Sequence, residues 1–92
     1  MKKICALWQY SLAESWDPRY LPTVCDHWVD FPPTANELTE ARLHENADHA
    51  RLRSPDGAYS IDIVFSRWHQ RSVNRYTGRT VYRKVRRVLV LE

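Results

Sequence analysis

The residues of this chain that can act in concert are its arginines. From Arg67 to Arg87 stand seven Arg and one Lys, namely Arg67, Arg71, Arg75, Arg79, Arg83, Lys84, Arg86 and Arg87, with no Asp or Glu among them. A guanidinium is planar and permanently charged. It makes paired hydrogen bonds with phosphate oxygens and stacks on bases. Trp68, His69, Tyr76 and Tyr82 lie among these cations and add ring faces to the charge row. A solvated edge strand, the plainer reading, would mix signs or favour lysine. A one-signed arginine run repels itself unless something anionic lies against it.

Other combinations carry less. Cys25, His27, His44 and His49 are the candidate metal ligands. Only the His44-x4-His49 spacing suits zinc, no second cysteine pair accompanies it, and no metal is expected. Asp26, His27, Asp48, His49 and His69 could supply an acid and a base. No nucleophile elbow, P-loop, H-E-x-x-H or paired-carboxylate motif organises them, so neither an enzyme nor a cofactor is expected.

The arginines need elements to hold them. Residues 61–75 and 79–91 read as two strands around a tight turn at Tyr76-Thr77-Gly78, rich in β-branched and aromatic types. A three-residue loop would pair Arg75 with Arg79 and group Arg67, Arg71, Arg75, Arg79, Arg83 and Arg87 on one face. A two-residue loop would pair Tyr76 with Arg79 and group Arg67, Arg71, Lys84 and Arg86 instead. Ile61, Ile63 and Phe65 begin an apolar face that continues into Arg67, His69 and Arg71, so this hairpin is expected to outrun its core as a protruding arm. A second hairpin is expected at residues 50–54 and 58–64 around Pro55-Asp56-Gly57. The chain has only two glycines, Gly57 and Gly78, and both fall at these turns.

Upstream, residues 3–12 are apolar on both sides, as in a central strand covered on both faces. Residues 15–33 hold Pro18, Pro22, Pro32 and Pro33 with Trp16, Tyr20, Trp28 and Phe31. They read as a loop pinned by its rings, irregular except around residues 24–29. The sharper alternative is a contact loop exposing Trp16, Asp17, Arg19 and Tyr20. Thr34 and Glu37 form a capping box for a helix from Ala35 to about Glu45 or Ala47, with a thin apolar stripe of Ala35, Leu38, Leu43 and Ala41 or Arg42. The expected fold is one α+β domain: an antiparallel sheet of about four strands, made of the N-terminal strand and two hairpins, with one amphipathic helix packed on it.

The 92 residues suit a single small core, and net charge is only +3. Its distribution is polar. Residues 1–46 hold four Lys/Arg against seven acids, net −3, and residues 47–92 hold ten against four, net +6. Arg outnumbers Lys eleven to three. Cys5 and Cys25 make no disulfide framework, Met1-Lys2-Lys3 leads into too short an apolar run for a signal peptide, and no stretch is long enough to span a membrane. A monomer in the bacterial cytoplasm is expected.

Length, one helix on a sheet, the acidic–basic split and the lack of catalytic motifs together make the chain similar to the small phage-encoded anti-CRISPR proteins, in particular those acting on multi-subunit type I surveillance complexes. The resemblance implies stoichiometric inhibition, by docking on the ribonucleoprotein and blocking target DNA. An acidic face with Glu37, Glu40, Glu45, Asp17, Asp26 and Asp30 would meet a basic DNA groove. The arginine hairpin would meet guide RNA or an acidic subunit surface, with Trp16, Arg19 and Tyr20 as a further contact. The alternative is a DNA-binding domain that lays its β-hairpin into a groove.

Overall fold

The computed structural model describes residues 3–92; Met1 and Lys2, part of the basic start noted above, lie outside them. The fold is α+β, with an antiparallel sheet of six strands rather than four. The strands are β1 (Ile4–Ser15), β2 (Trp28–Asp30), β3 (His49–Arg53), β4 (Tyr59–Val64), β5 (His69–Asn74) and β6 (Thr80–Leu91), in the order β2-β1-β6-β5-β4-β3. One helix, α1 (Pro33–His44), lies across one face and touches both β1 and β3.

The strand count rises because the long strand expected over residues 61–75 breaks in two. The chain reverses at residues 65–68, where the Arg67 and Trp68 N–H groups donate to the Val64 and Phe65 carbonyls. No glycine, proline, Asn or Asp marks this turn. Trp68 itself takes the left-handed conformation, φ 50°. That costs a non-glycine residue about 1 kcal/mol. The Trp68 ring stacks on Trp8 at 5.7 Å, which offsets the cost. The arm expected at the arginine hairpin is therefore absent. β4 runs beside β5 over its full length, and β3–β6 form a four-stranded meander.

The two glycine turns stand where expected, at φ 72° for Gly57 and 76° for Gly78. Asp56 accepts from the Ala58 N–H at 2.9 Å, an Asx contact that closes the first of them. The β5–β6 register is neither of the two considered: Val73 faces Thr80, and Asn74 and Arg79 close a four-residue loop. The Asn74 side chain decides this. Its Oδ1 accepts from the Tyr76 and Thr77 N–H groups, satisfying two loop donors at once.

β1 is next to the edge, not central, and α1 covers only one of its faces. It pairs with β6 from Ile4↔Leu91 to Tyr10↔Val85, then slips to Glu14↔Arg83 across a bulge. Arg83 fills that irregularity, donating to the Ser11 and Leu12 carbonyls and to Glu14. The core is Trp8, Phe31, Ala50, Ile63, Phe65 and Val85, with Tyr10, Ala35, Leu43, Leu52 and Ile61 packed against it.

The helix differs from an amphipathic one. Its first residue is Pro33, and its N-cap, Pro32, makes no side-chain cap, so the Thr34–Glu37 capping box does not form. Proline suits that place because it has no N–H to leave unsatisfied. Leu38 and Ala41 are exposed, while Thr39 is fully buried and bonds back to the Ala35 carbonyl. Polar groups anchor the helix to the sheet. Asn36 Oδ1 accepts from the Trp8 N–H at 2.7 Å, and its Nδ2 donates to the Ala6 carbonyl at 3.0 Å. Asn36 thus stands in for a strand on the β1 edge beyond β2. Asn36→Ala should cost about 2 kcal/mol, since two backbone groups lose their partners; urea unfolding that shows no loss would remove this role.

Candidate nucleic-acid interface

Strand register decides which cations share a face, because successive side chains alternate. The face away from α1 carries Arg51 and Arg53 from β3, Arg71 from β5, and Lys84 and Arg86 from β6. Arg51, Asp62, Arg71 and Tyr82 form one cross-strand row. At the usual strand spacing it is roughly 14 Å long. His49, Val64, His69 and Lys84 form the next row. Arg51, Arg53, Arg71 and Arg86 are exposed.

The observed grouping of Arg71, Lys84 and Arg86 matches the two-residue-loop alternative, although the loop has four residues. Arg79 closes both loops, and the two extra residues, Arg75 and Tyr76, come from the β5 side; a register shift of two residues preserves which side chains share a face. Arg67 lies in the 65–68 turn, exposed at the margin of this face.

Two groups tune the field. Asp62 is the acid inside it, between Arg51 and Arg71. Its Oδ1 lies 3.4 Å from Arg51 Nε and makes no hydrogen bond among the described residues. His69 is buried against Tyr82, ring centres 5.5 Å apart. Burial, and secondly the nearby Arg67 charge, hold its imidazole below the ordinary value, so at neutral pH it adds a ring and no charge.

Arg86 is held in place. Its guanidinium lies over the Trp28 ring at 4.2 Å, and its Nε donates to Gln9 Oε1 at 2.7 Å. Gln9 in turn donates to Asp30. The terminal nitrogens of Arg86 have no hydrogen-bond partner among the described residues. Such a plane, fixed at one edge and open at the other, suits a phosphate.

At the far end of β5 and β6, Arg75, Tyr76 and Arg79 are exposed around the tight turn, Tyr76 by 83 %. This tip is not a free ribbon. The Arg75 N–H donates to the Ala58 carbonyl and its Nη1 to the Gly57 carbonyl, tying it level with the β3–β4 turn.

Two of the eight expected contact residues point the other way. Arg83 and Arg87 lie on the helix side. Arg83 is held at the bulge by Glu14, 2.6 Å away. Arg87 forms a two-pronged pair with Glu40 through Nε at 2.8 Å and Nη2 at 2.7 Å. Glu40 also accepts from Trp8 Nε1 at 2.9 Å and lies 2.8 Å from His44 Nε2. The Arg87, Trp8 and His44 contacts lower its carboxyl pKa to about 2 against the burial that opposes them. Glu40 is a structural anion, unlike the exposed contact residue expected.

The rest of the acidic half is largely engaged: Asp17 with Arg19 at 2.7 Å, Glu45 with Arg42 at 2.8 Å, and Asp30 with Gln9. Glu37 and Asp26 stay exposed. The loop before β2 divides as its two readings did. Phe31 is buried and Trp28 half-buried, whereas Trp16 and Tyr20 are 80 % and 68 % exposed. Arg19, neutralised by Asp17, brings that loop no net charge.

Arg51 and Arg53 were outside the run that drew attention. Their signal was present in the alternation of His49, Arg51 and Arg53, which puts three basic types on one face of a strand. Among the described residues, no three His, Cys, Asp or Glu side chains gather as metal ligands would, and no helix is long and apolar enough to cross a membrane. No protein-family model matches the chain, and no curated protein matches it in sequence.

Proposed function

We propose that this protein is a non-catalytic nucleic-acid-binding protein whose helix-free sheet face takes a phosphate backbone, and that it works by docking on a nucleoprotein complex. The observation that carries the proposal is the collection of Arg51, Arg53, Arg71, Lys84 and Arg86 on one open face, with Asp62 among them and Asp30, bonded to Gln9, at the β2 margin. Backbone contacts of this kind supply affinity without reading sequence. The exposed ring of Tyr76 offers a stacking surface at the β5–β6 tip.

A single strand, or RNA displayed on a protein, suits this face better than the groove of duplex DNA. The major groove is about 12 Å wide and admits two strands. Here β3–β6 lie flush, and the β5–β6 tip is tied to its neighbour. Docking on a bacterial CRISPR ribonucleoprotein, as the anti-CRISPR resemblance implies, would bring the face to guide RNA. The acidic part of such docking would rest on Glu37 and Asp26, since the other acidic residues of the first half are engaged within the fold.

The test is fluorescence anisotropy of labelled single-stranded RNA and of duplex DNA across a salt series. For roughly four neutralised phosphates on a single strand, log K should fall with log salt at a slope of about −3. Absent or salt-independent binding would sink the proposal. A preference for the duplex would move the weight to groove binding by the hairpin.

A further inference from the structure

The terminal strands make the one part of the sheet that outruns its neighbours. β5 accompanies β6 only from His69↔Lys84 onward, and β2 accompanies β1 only at Gln9–Ser11. Beyond them, Ile4–Trp8 and Arg87–Leu91 continue as a two-stranded projection. It fits the elongated molecule, 48 × 28 × 24 Å. Apart from Arg87, which Glu40 holds at its base, its side chains are apolar on both faces: Ile4, Leu89 and Leu91 on one, 58–68 % exposed, and Cys5, Leu7, Val88 and Val90 on the other.

The edges of this sheet are not treated alike. The β3 edge carries Arg51 and Arg53, charges that deter pairing with another chain. β2 is three residues long and ends in Asp30. The outer edge of β1 is occupied by Asn36 at Ala6 and Trp8 and by Phe31 N–H at Trp8. The outer edge of β6 is open past Val85, whose N–H meets the Trp68 carbonyl. Lys3 and Glu92 exchange both backbone hydrogen bonds, so Val90, Val88 and Arg86 also face β1. Arg87, Leu89 and Leu91 therefore turn their N–H and C=O groups outward. No partner for these groups exists among the described residues.

We propose that this edge pairs with the same edge of a second copy of the chain, antiparallel and about a two-fold axis at Leu89. The outward residues then face one another in register: Leu89 meets Leu89, and Arg87 meets Leu91 in both directions. All six outward groups of each copy find partners. Val88 packs on Val90 of the other copy on one face. Arg86 takes the ladder position opposite Glu92, of opposite sign; within one chain these side chains turn towards β1, onto Gln9 and Trp28 and onto Cys5, and pairing across the axis swings them to the new neighbour. Self-complementarity of hydrogen bonding, apolar contact and charge in one register is what selects a second copy over an unrelated strand. Because the axis runs perpendicular to the sheet, both helices fall on one side and both cation faces on the other. The dimer is a continuous sheet with two basic fields side by side. The inference replaces the monomer expected from the sequence and stands whether or not the open face binds nucleic acid.

Sedimentation equilibrium of the purified chain without nucleic acid tests it. The wild type should run at about twice 11.0 kDa. Leu89→Pro removes one outward N–H that faces solvent in the monomer, a place where an edge strand tolerates proline. It should raise the dimer dissociation constant by about tenfold or more, with the circular dichroism spectrum retained. Arg86→Glu and Glu92→Arg should each weaken the dimer by setting like charges opposite, and the double variant should restore it. That rescue does not depend on whether the proline variant folds. A wild type that stays monomeric at high micromolar concentration overturns the proposal. So does a dimer in which both single charge variants associate as the wild type does.

Discussion

Replacing Arg51, Arg71 and Lys84 together by alanine is expected to weaken single-stranded RNA binding by about 100-fold near 0.1 M salt. The figure assumes about 1 kcal/mol for each lost phosphate contact. The salt slope should shrink by about 2 at the same time. The fold should not suffer. Arg51 is 79 % exposed, and its only described partner, Asp62, is 3.4 Å away, a pair of the kind that adds little stability. Asp62→Asn should act in the opposite direction, tightening binding several-fold by removing the acid between Arg51 and Arg71. Anisotropy titrations at several salt concentrations read both effects. Wild-type affinity in the triple variant would take the open face out of the account.

Glu40→Ala is expected to be the most damaging single substitution, costing about 3–5 kcal/mol in urea unfolding at pH 7. It strips a half-buried Arg87 of its paired acceptor and leaves Trp8 Nε1 without one. Domains of this size hold on the order of 5–15 kcal/mol in all, so the variant should approach unfolding. The pH dependence has a definite sign. The Glu40 pKa falls from an ordinary value of 4.5 to about 2 on folding. Its stabilisation is thus complete above about pH 4.5 and is lost as pH falls towards 2. On the order of 2–3 kcal/mol of wild-type stability should disappear over that window, and the alanine variant should lack that step. If the alanine variant keeps the wild-type acid transition, the role of Glu40 is misassigned. Glu40→Leu combined with Arg87→Met should recover part of the loss, because neither charge is then left buried alone.

These two experiments separate classes of charge that look alike on paper. Arg71 and Arg83 are both arginines in the same basic third of the chain. One stands on an open sheet face, and the other closes a bulge by binding two carbonyls and Glu14. Glu37 and Glu40 are one helical turn apart, yet Glu37 is exposed and Glu40 joins helix to sheet. Alternation and helical period show which residues share a face of their own element. They do not show what lies opposite that face.

The fold class, the two glycine turns, the single helix and the concentration of positive charge in the second half were legible in the residues alone. Each follows from local chemistry: positive φ at Gly57 and Gly78, β-branched runs, and proline at the helix start. The parity that joins Arg71, Lys84 and Arg86 was also legible, as one of two alternatives. The rest came from contacts between distant parts of the chain. The turn at residues 65–68 exists because Trp68 can place its ring on Trp8, sixty residues away in sequence. Arg51 and Arg53 reach the basic face because the meander folds β3 back beside β4, in one row with β5 and β6. Arg83, Arg87 and Glu40 leave the contact surface because a bulge and a helix need their charges. Local preference acts over a few residues, whereas the partners of Arg83 and Arg87 lie 47 to 72 positions away and meet them only when the sheet closes.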